Sequence, residues 1–113
     1  MKRIFAVLVL FSSLHAQAQY KVTEDHCTDV WSGVTNAYAF KVTGKTKADA
    51  IRLAAQPLLG PNEAKMKLRM ETLPMVMVGT QLAYDPNFAS VPANEAAQIA
   101  YSNCKSMLGK VAD

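Results

Sequence analysis

The sequence predicts an all-α domain, a compact bundle of about four helices closed by one disulfide. Apolar residues recur at spacings of three and four through most of the chain after residue 23, which is the pattern of amphipathic helices. Capping residues, prolines and glycines divide that pattern into segments. The predicted helices span residues 24–42, 47–58, 62–84 and 92–108.

The first helix is predicted from a cap and an apolar stripe. Thr23 can cap the helix, and Glu24 and Asp25 lie in the first turn, where the helix dipole favours acids. Gly44 is a plausible end. The stripe consists of Cys27, Val30, Trp31, Val34, Ala37 and Tyr38.

The second helix begins at Thr46, with Asp49 three residues further on as an approximate capping box. Pro57 is expected to end or bend it. Its apolar face is predicted to contain Ala48, Ile51, Ala55 and Leu58.

The third helix has the longest predicted core seam, and a proline lies inside it. Pro74 has no amide proton and clashes with the carbonyl of Met70, so the helix is predicted to be kinked or broken there. Whether this segment is one kinked helix or two elements stays open, and residues 75–78 could also form a buried strand. The seam consists of Met66, Met70, Leu73, Met77, Thr80 and Tyr84.

The last helix has the clearest boundaries. Pro92 fits its first turn and Gly109 fits its exit. Its inward face is predicted to contain Ala93, Ala97, Ala100, Cys104 and Met107.

The first eighteen residues have the pattern of a cleavable secretory signal peptide. Lys2 and Arg3 precede the apolar run 4–11, and Ala16 and Ala18 occupy the −3 and −1 positions of a cleavage site. We therefore expect residues 1–18 to be removed and residues 19–113 to form a single helical domain, periplasmic or secreted. The apolar run is too short to span a bilayer, so no stable membrane anchor is expected after cleavage.

Cleavage also changes the charge balance. The full chain carries a net charge of +3, and removal of Lys2 and Arg3 leaves ten basic against nine acidic residues. A domain so close to neutral gives no electrostatic case for nucleic-acid binding. Segment 41–71 is locally basic, which predicts a solvated helix face or, alternatively, a site for an acidic partner. Its basic residues are Lys41, Lys45, Lys47, Arg52, Lys65, Lys67 and Arg69.

Two cysteines in an exported chain predict a disulfide between Cys27 and Cys104. Each lies on the apolar stripe of its own helix, so both sulfurs are expected to point inward. Closing a loop of 77 residues is worth roughly 4.5 kcal/mol in the chain-entropy model. The adjacent His26 and Cys27 lack the further ligands that structural zinc requires, so no metal is expected there.

No catalytic constellation is predicted. His26 is the sole histidine after the leader, and we expect it to be a surface group near a helix start. Asp25 and Asp29 are expected on an exposed helix face, and no serine lies in a nucleophile-elbow pattern. The sequence therefore predicts a protein that is not an enzyme and needs no cofactor.

Four methionines raise one metal hypothesis. Thioether sulfurs are soft ligands that select Cu(I), and an exported copper-binding module would use them. Methionine also fills irregular cores and pliable binding surfaces. The four, weak candidates as metal ligands, are Met66, Met70, Met75 and Met77.

Several short motifs follow one another in a specific order along the chain: Cys27, Gly44-Lys45-Thr46, Ala50, Ala83-Tyr84-Asp85-Pro86, Pro92-Ala93, Ala96-Ala97, Tyr101 and Cys104. In this order the chain resembles a set of small, uncharacterised exported proteobacterial proteins with a cysteine pair joining the first and last helices. Lys41 departs from the set, because arginine is expected there. The resemblance implies the helical fold, export and the disulfide, and it implies no activity.

The leading functional hypothesis is an exported, non-enzymatic helical protein that acts by binding an as yet unidentified protein. One version is an immunity-type inhibitor of a cell-wall hydrolase, by analogy alone. The alternative class is a periplasmic copper or small-ligand binding module built on the segment 66–77.

Overall fold

The computed structural model describes residues 19–112 and confirms an all-α fold with one disulfide. The four helices are α1 (Glu24–Val42), α2 (Lys47–Ala55), α3 (Glu63–Ala83) and α4 (Ala93–Lys105). The predicted leader, with its cleavage residues Ala16 and Ala18, lies outside the described residues.

The helix ends follow from local capping. The Thr46 hydroxyl accepts the Asp49 N–H at 3.2 Å, and the Asn62 side chain accepts the Lys65 N–H at 3.1 Å. Such bonds satisfy amide groups that the first turn of a helix leaves free. Gly44 and Gly109 have φ values of +85° and +80°, a backbone conformation that favours glycine. The predicted stop and exit glycines therefore lie in the turns after α1 and α4.

Prolines shape α2 and α3 in different ways. The α-helix of α2 ends at Ala55, and a 3-10 turn over Gln56–Leu59 continues it across Pro57. In contrast, α3 runs through Pro74 as one uninterrupted helix. The break at Pro74 and the alternative strand at residues 75–78 are therefore both wrong.

Helix α1 is the centre of the molecule, because α3 and α4 each pack along it while meeting each other only sparsely. On the α4 side, the Cys27–Cys104 disulfide joins the two helices with a Cα–Cα distance of 5.4 Å. The ring of Trp31 meets that of Tyr101 edge to face, with 5.8 Å between centroids.

On the α3 side, α1 makes a close reciprocal contact built on two glycines. A Cβ atom on Gly33 would lie 2.7 Å from both methyl groups of Val76, and a Cβ on Gly79 would collide with Val34. Each valine thus fills the space that the glycine of the facing helix leaves open. The two helix backbones can approach only because both positions lack a side chain.

A short antiparallel pair of strands, β1 (Tyr20–Lys21) and β2 (Val111–Ala112), joins the two ends of the described chain. Val22 extends the pairing: its N–H donates to Lys110 and its carbonyl accepts from Gly109, both at 3.0 Å. Residues before the first helix are thus part of the folded domain, because Val22 is buried beside the disulfide.

The predicted seam of α3 is also wrong in its orientation. Met70, expected in the core, is 63% exposed, and of the six predicted residues only Thr80 is fully buried. In α2 the buried residues are Ala50 and Ala54 rather than the predicted set. The buried face of α3 consists of Arg69, Thr72, Val76, Gly79, Thr80 and Ala83.

Candidate functional site

An open apolar groove runs between α3 and α4, and we refer to it as the α3/α4 groove. Its volume is about 380 Å³. Val30, Val34 and Tyr38 of α1 form its floor, because α1 lies beneath both walls. The walls and one end are lined mainly by Met75, Val78, Gly79, Leu82, Phe88, Val91, Glu95, Ala96, Ile99, Ala100, Asn103 and Met107.

The groove exists because α3 and α4 both pack on α1 but contact each other only sparsely. Both walls are anchored from below, α4 by the disulfide and α3 by the glycine–valine contacts. Phe88 lies in the connection between the walls, within a short 3-10 turn that the Asp85 carboxylate caps by accepting the Asn87 N–H at 2.9 Å. The disulfide, the glycine–valine contacts and the capped turn at Phe88 therefore hold the two walls of the groove and the connection between them.

Large apolar side chains on the groove are exposed to solvent. Val78 on the α3 wall is 57% exposed and Ile99 on the α4 wall is 53% exposed. Leu82, Phe88 and Met107 are exposed on the same surface. Glu95 is the one charged residue that lines the groove in the described part of the chain. The lining contributed by the described residues is therefore mainly apolar and presents no cation.

A buried ion pair lies on the other side of α3, where α1, α2 and α3 meet. Arg69, only 6% exposed, donates from Nε and Nη2 to the two carboxylate oxygens of Asp29 at 2.9 and 3.1 Å. Its third nitrogen donates to the carbonyl of Ala54 in α2 at 2.7 Å, and the Thr72 hydroxyl also donates to Asp29. The arrangement ties three helices together. Arg69 was predicted on a solvated basic face and Asp29 on an exposed face, and both expectations are wrong.

The pKa of Asp29 reflects this environment. Burial on its own raises the pKa, but the hydrogen bonds from Arg69 and Thr72 and the charge of Arg69 outweigh burial and lower it below its usual value. Asp29 is therefore held as a carboxylate, and Asp29 and the Ala54 carbonyl accept the hydrogen bonds from the guanidinium of Arg69.

His26 is buried as well, contrary to the expectation of a surface group, with 6% exposure. Its Nδ1 accepts the Thr23 N–H at 2.9 Å, which places the ring proton on Nε2, where it faces Glu71 at 3.3 Å. The ring of Tyr20 stacks on it at 4.7 Å. Burial, and then the charge of Glu71, raise the pKa of Tyr20. With both ring nitrogens occupied and one face covered, His26 closes the α1–α3 contact rather than presenting a base to a substrate.

The four candidate methionine ligands do not all meet at one point on α3. Met75 lines the groove and packs against the core, whereas Met70 lies exposed outside that lining. At 1.5 Å per residue, Met66 and Met77 are about 16 Å apart along the helix axis. Within residues 19–112, no group of three or more histidine, cysteine or acidic side chains is arranged to hold a metal ion.

The groove was missed in the sequence because Ile99, Val78 and Leu82 lie outside the predicted stripes of their helices. Apolar residues that lie outside the assigned stripe of a helix can indicate a second apolar face on that helix. Here two neighbouring helices each have such residues, and they meet at one surface. The predicted disulfide residues, in contrast, occupy the place that the two inward stripes indicated.

No helix among the described residues is both long and apolar enough to cross a bilayer. The disulfide indicates folding in a non-reducing compartment. No family model, no curated protein and no solved structure matches this chain.

Proposed function

We propose that this chain is an exported, non-catalytic protein that binds a helix of another protein in the α3/α4 groove, in the periplasm or outside the cell. The observation that carries the proposal is the orientation of α3. This helix buries Arg69, Thr72 and Thr80 and leaves Val78 and Leu82 exposed.

That orientation is unusual on energetic grounds. Burying a valine or leucine side chain is worth about 1.5–3 kcal/mol, whereas a buried arginine needs a full set of partners. Scattered exposed apolar residues are ordinary on protein surfaces. Large apolar side chains from two helices and their connection converge here on one groove, and contiguous apolar patches of this kind mark interaction sites.

The dimensions and charge of the groove favour a helix as its occupant. Helix α4, which forms one wall, has 13 residues, or about 20 Å at 1.5 Å per residue. A partner helix of three to four turns with apolar residues at positions i, i+3, i+4 and i+7 fits this length. Among residues 19–112 no cationic side chain lines the groove, so this lining does not favour nucleic acid or an anionic membrane surface.

The scaffold beneath the groove supports binding without large rearrangement. The disulfide fixes α4, and the Asp29–Arg69 pair together with the glycine–valine contacts fixes α3. A groove with fixed walls loses little conformational entropy when it is filled. Met75 and Met107 add flexible side chains that can adapt to the partner surface.

The test is site-specific photocrosslinking in the exporting cell. A photoreactive amino acid replaces Ile99 in the groove, and a matched variant carries it at Leu59, an exposed apolar residue that does not line the groove. We expect position 99 to give a defined adduct with another protein and position 59 to give none. Mass spectrometry of the adduct then identifies the crosslinked segment.

Binding measurements with that segment decide the proposal. A synthetic peptide of the crosslinked segment is titrated into the purified protein, into Ile99→Glu and into Leu59→Glu. We expect Ile99→Glu to weaken binding at least about tenfold and Leu59→Glu to leave it unchanged. Equal adducts at both positions, or a peptide that binds Ile99→Glu as tightly as the wild type, would contradict the proposed function.

A further inference from the structure

We propose that a second cavity, enclosed by α1, α2 and α3, binds a small organic carboxylate. We refer to it as the Arg69 cavity, because the guanidinium of the buried ion pair lies in its wall. It shares no lining residue with the α3/α4 groove, so the inference does not depend on the proposed function. Its lining includes Asn36, Phe40, Leu53, Gln56, Lys65 and Arg69.

The Arg69 cavity has the size and composition of a small-molecule site. Its volume is about 380 Å³, and ligand pockets usually measure about 300–1,000 Å³. Its walls come from α1, from α2 with the 3-10 turn that follows it, and from α3. Apolar side chains, among them Phe40 and Leu53, share this lining with a few polar groups. That combination is typical of sites that bind small molecules.

Arg69 is the buried polar group that points to a ligand. A guanidinium carries five N–H donors. Asp29 accepts one hydrogen bond from Nε and one from Nη2, and the Ala54 carbonyl accepts one from Nη1. Within residues 19–112 the second N–H of Nη1 and that of Nη2 have no acceptor, although Arg69 is only 6% exposed. Buried donors without acceptors are costly, and an oxygen atom in the cavity can accept from them.

Lys65 gives the Arg69 cavity an excess positive charge. It lies one turn before Arg69 on α3, so both side chains lie on one face of the helix. Asp29 already compensates the charge of Arg69, and among the described residues no acidic side chain lines the cavity. Asp25 and Asp29 line a neighbouring depression that also includes Lys65, but the ion pairs of the described chain do not include this lysine. One cation therefore remains for a ligand, and it favours an anion over water.

A carboxylate on a compact apolar body matches these groups. It carries one negative charge and two oxygens, which suit one ammonium group and two guanidinium N–H groups. The side-chain amides of Asn36 and Gln56 offer further donors and acceptors in the same lining. The rest of the ligand then lies against Phe40 and Leu53, and an inorganic anion has no such apolar part.

Proton–nitrogen NMR on the protein, expressed as the full chain and purified as the cell exports it, tests the inference. Isotope-labelled protein is titrated with benzoate and with hexanoate, beside benzyl alcohol as the uncharged counterpart of benzoate and inorganic phosphate as the anion without an apolar body. We expect the two carboxylates to shift the Arg69 Nε–H signal and the amide signals of Asn36 and Gln56 with a Kd of about 1 mM, as suits ligands of this size. Benzyl alcohol and phosphate should bind at least about fivefold more weakly.

Two lysine variants compare the charge inside and outside the cavity. Lys65→Glu is expected to weaken benzoate binding at least about fivefold, because it replaces the attractive charge with a repulsive one. An acid is favoured in the first turn of a helix, so this variant is expected to keep the fold. Lys67→Glu is the matched control, because Lys67 is exposed on the same helix and does not line the cavity. It makes the same change in net charge and should bind benzoate like the wild type.

Several outcomes would overturn the inference. One is that neither carboxylate shifts the Arg69, Asn36 and Gln56 signals at about 20 mM. Others are benzyl alcohol or phosphate binding as tightly as benzoate, or equal losses in the two lysine variants. Carboxylate-induced shifts confined to Ile99 and Val78 would assign binding to the α3/α4 groove and overturn the inference as well. Because the two sites share no lining residue, Ile99→Glu should bind benzoate like the wild type.

Discussion

At the scale of single residues, the molecule uses charge in its interior and apolar side chains on part of its surface. Arg69 donates to Asp29 and to the backbone carbonyl of Ala54, and so links α1, α2 and α3. A buried pair of this kind is weak evidence for high stability, because desolvation offsets much of its Coulomb energy. The pair matters for the orientation of α3. It fixes how α3 is rotated about its own axis, and in that orientation Val78 and Leu82 face the groove.

Asp29→Asn is expected to lower the free energy of unfolding by about 3 kcal/mol at pH 7, because Arg69 then stays buried without a counter-charge. The lowered pKa of Asp29 gives stability that is present above about pH 4, the unfolded-chain value. That stability is lost as the pH falls through the folded-state value. The difference between wild type and variant in urea unfolding should therefore shrink below pH 4.

Asp25→Asn is the matched control, because Asp25 is exposed on the same helix. We expect it to change the unfolding free energy by less than about 1 kcal/mol, the usual range for a charge near a helix N-terminus. Equal effects of the two substitutions at pH 7 would show that Asp29 has no special role.

At the scale of elements, α3 shows what the sequence predicts and where the prediction stops. The ends of this helix were predictable, because Asn62 caps its start and a turn follows Tyr84. Such capping and turn signals depend on only a few neighbouring residues. The buried face of this helix was not predictable, because hydropathy favours an orientation that places the methionines in the core. The structure instead selects the face on which Gly79 admits Val34 and Arg69 reaches Asp29. Such pairings depend on residues about 40 positions away, which a local pattern does not contain.

The same limit applies to the candidate site. The disulfide was predictable because both cysteines lie on inward stripes of helices whose positions the pattern fixes. The groove depends on how α3 and α4 pack on α1, and on the α3 side that packing includes the close glycine contact between α1 and α3. Side-chain volume at this contact, rather than hydrophobic periodicity, determines how closely α1 and α3 approach.

Gly79→Ala tests the helix crossing. Alanine has a higher helix propensity than glycine by about 1 kcal/mol, so the substitution would stabilise an exposed helix. Here the new Cβ collides with Val34, and overpacking of this kind costs about 1–3 kcal/mol. We expect a net loss of stability in thermal unfolding, and recovery of part of it in the double variant Gly79→Ala, Val34→Ala.

Gly60→Ala is the control for the crossing. An added Cβ at Gly60 meets its nearest atom, the Pro57 carbonyl oxygen, at an ordinary 3.6 Å. We expect this variant to unfold within about 0.5 kcal/mol of the wild type. A Gly79→Ala protein more stable than the wild type would contradict the close packing of α1 and α3.

At the scale of the whole molecule, the stabilising contacts are concentrated along α1 and at the two ends of the described segment 19–112. The disulfide, the buried Val22 and the β1–β2 pair form one cluster next to the start of α1. The larger apolar cluster lies further along α1, where Val34 and Tyr38 meet Ala83 and Ala97. Because α3 and α4 meet sparsely, the α4 wall of the groove is held by its packing along α1 and by the disulfide.

Replacing both Cys27 and Cys104 by serine is expected to lower the unfolding free energy by about 4.5 kcal/mol, since the covalent loop spans 77 residues. The measurement is chemical unfolding of the double variant beside the oxidised and reduced wild type. Reduced wild type should unfold close to the double variant. A reduced protein as stable as the oxidised one would contradict the role given to this bond.

The pairing of β1 with β2 has a mechanical consequence. When the chain is pulled from Tyr20 and Ala112, the backbone hydrogen bonds between the strands bear the force first. After they separate, tension passes directly through the covalent link at Cys27 and Cys104. Only residues 20–27 and 104–112 can then extend. The segment between the cysteines, which includes α2, α3 and the groove floor, stays shielded from stretching of the molecule by its ends.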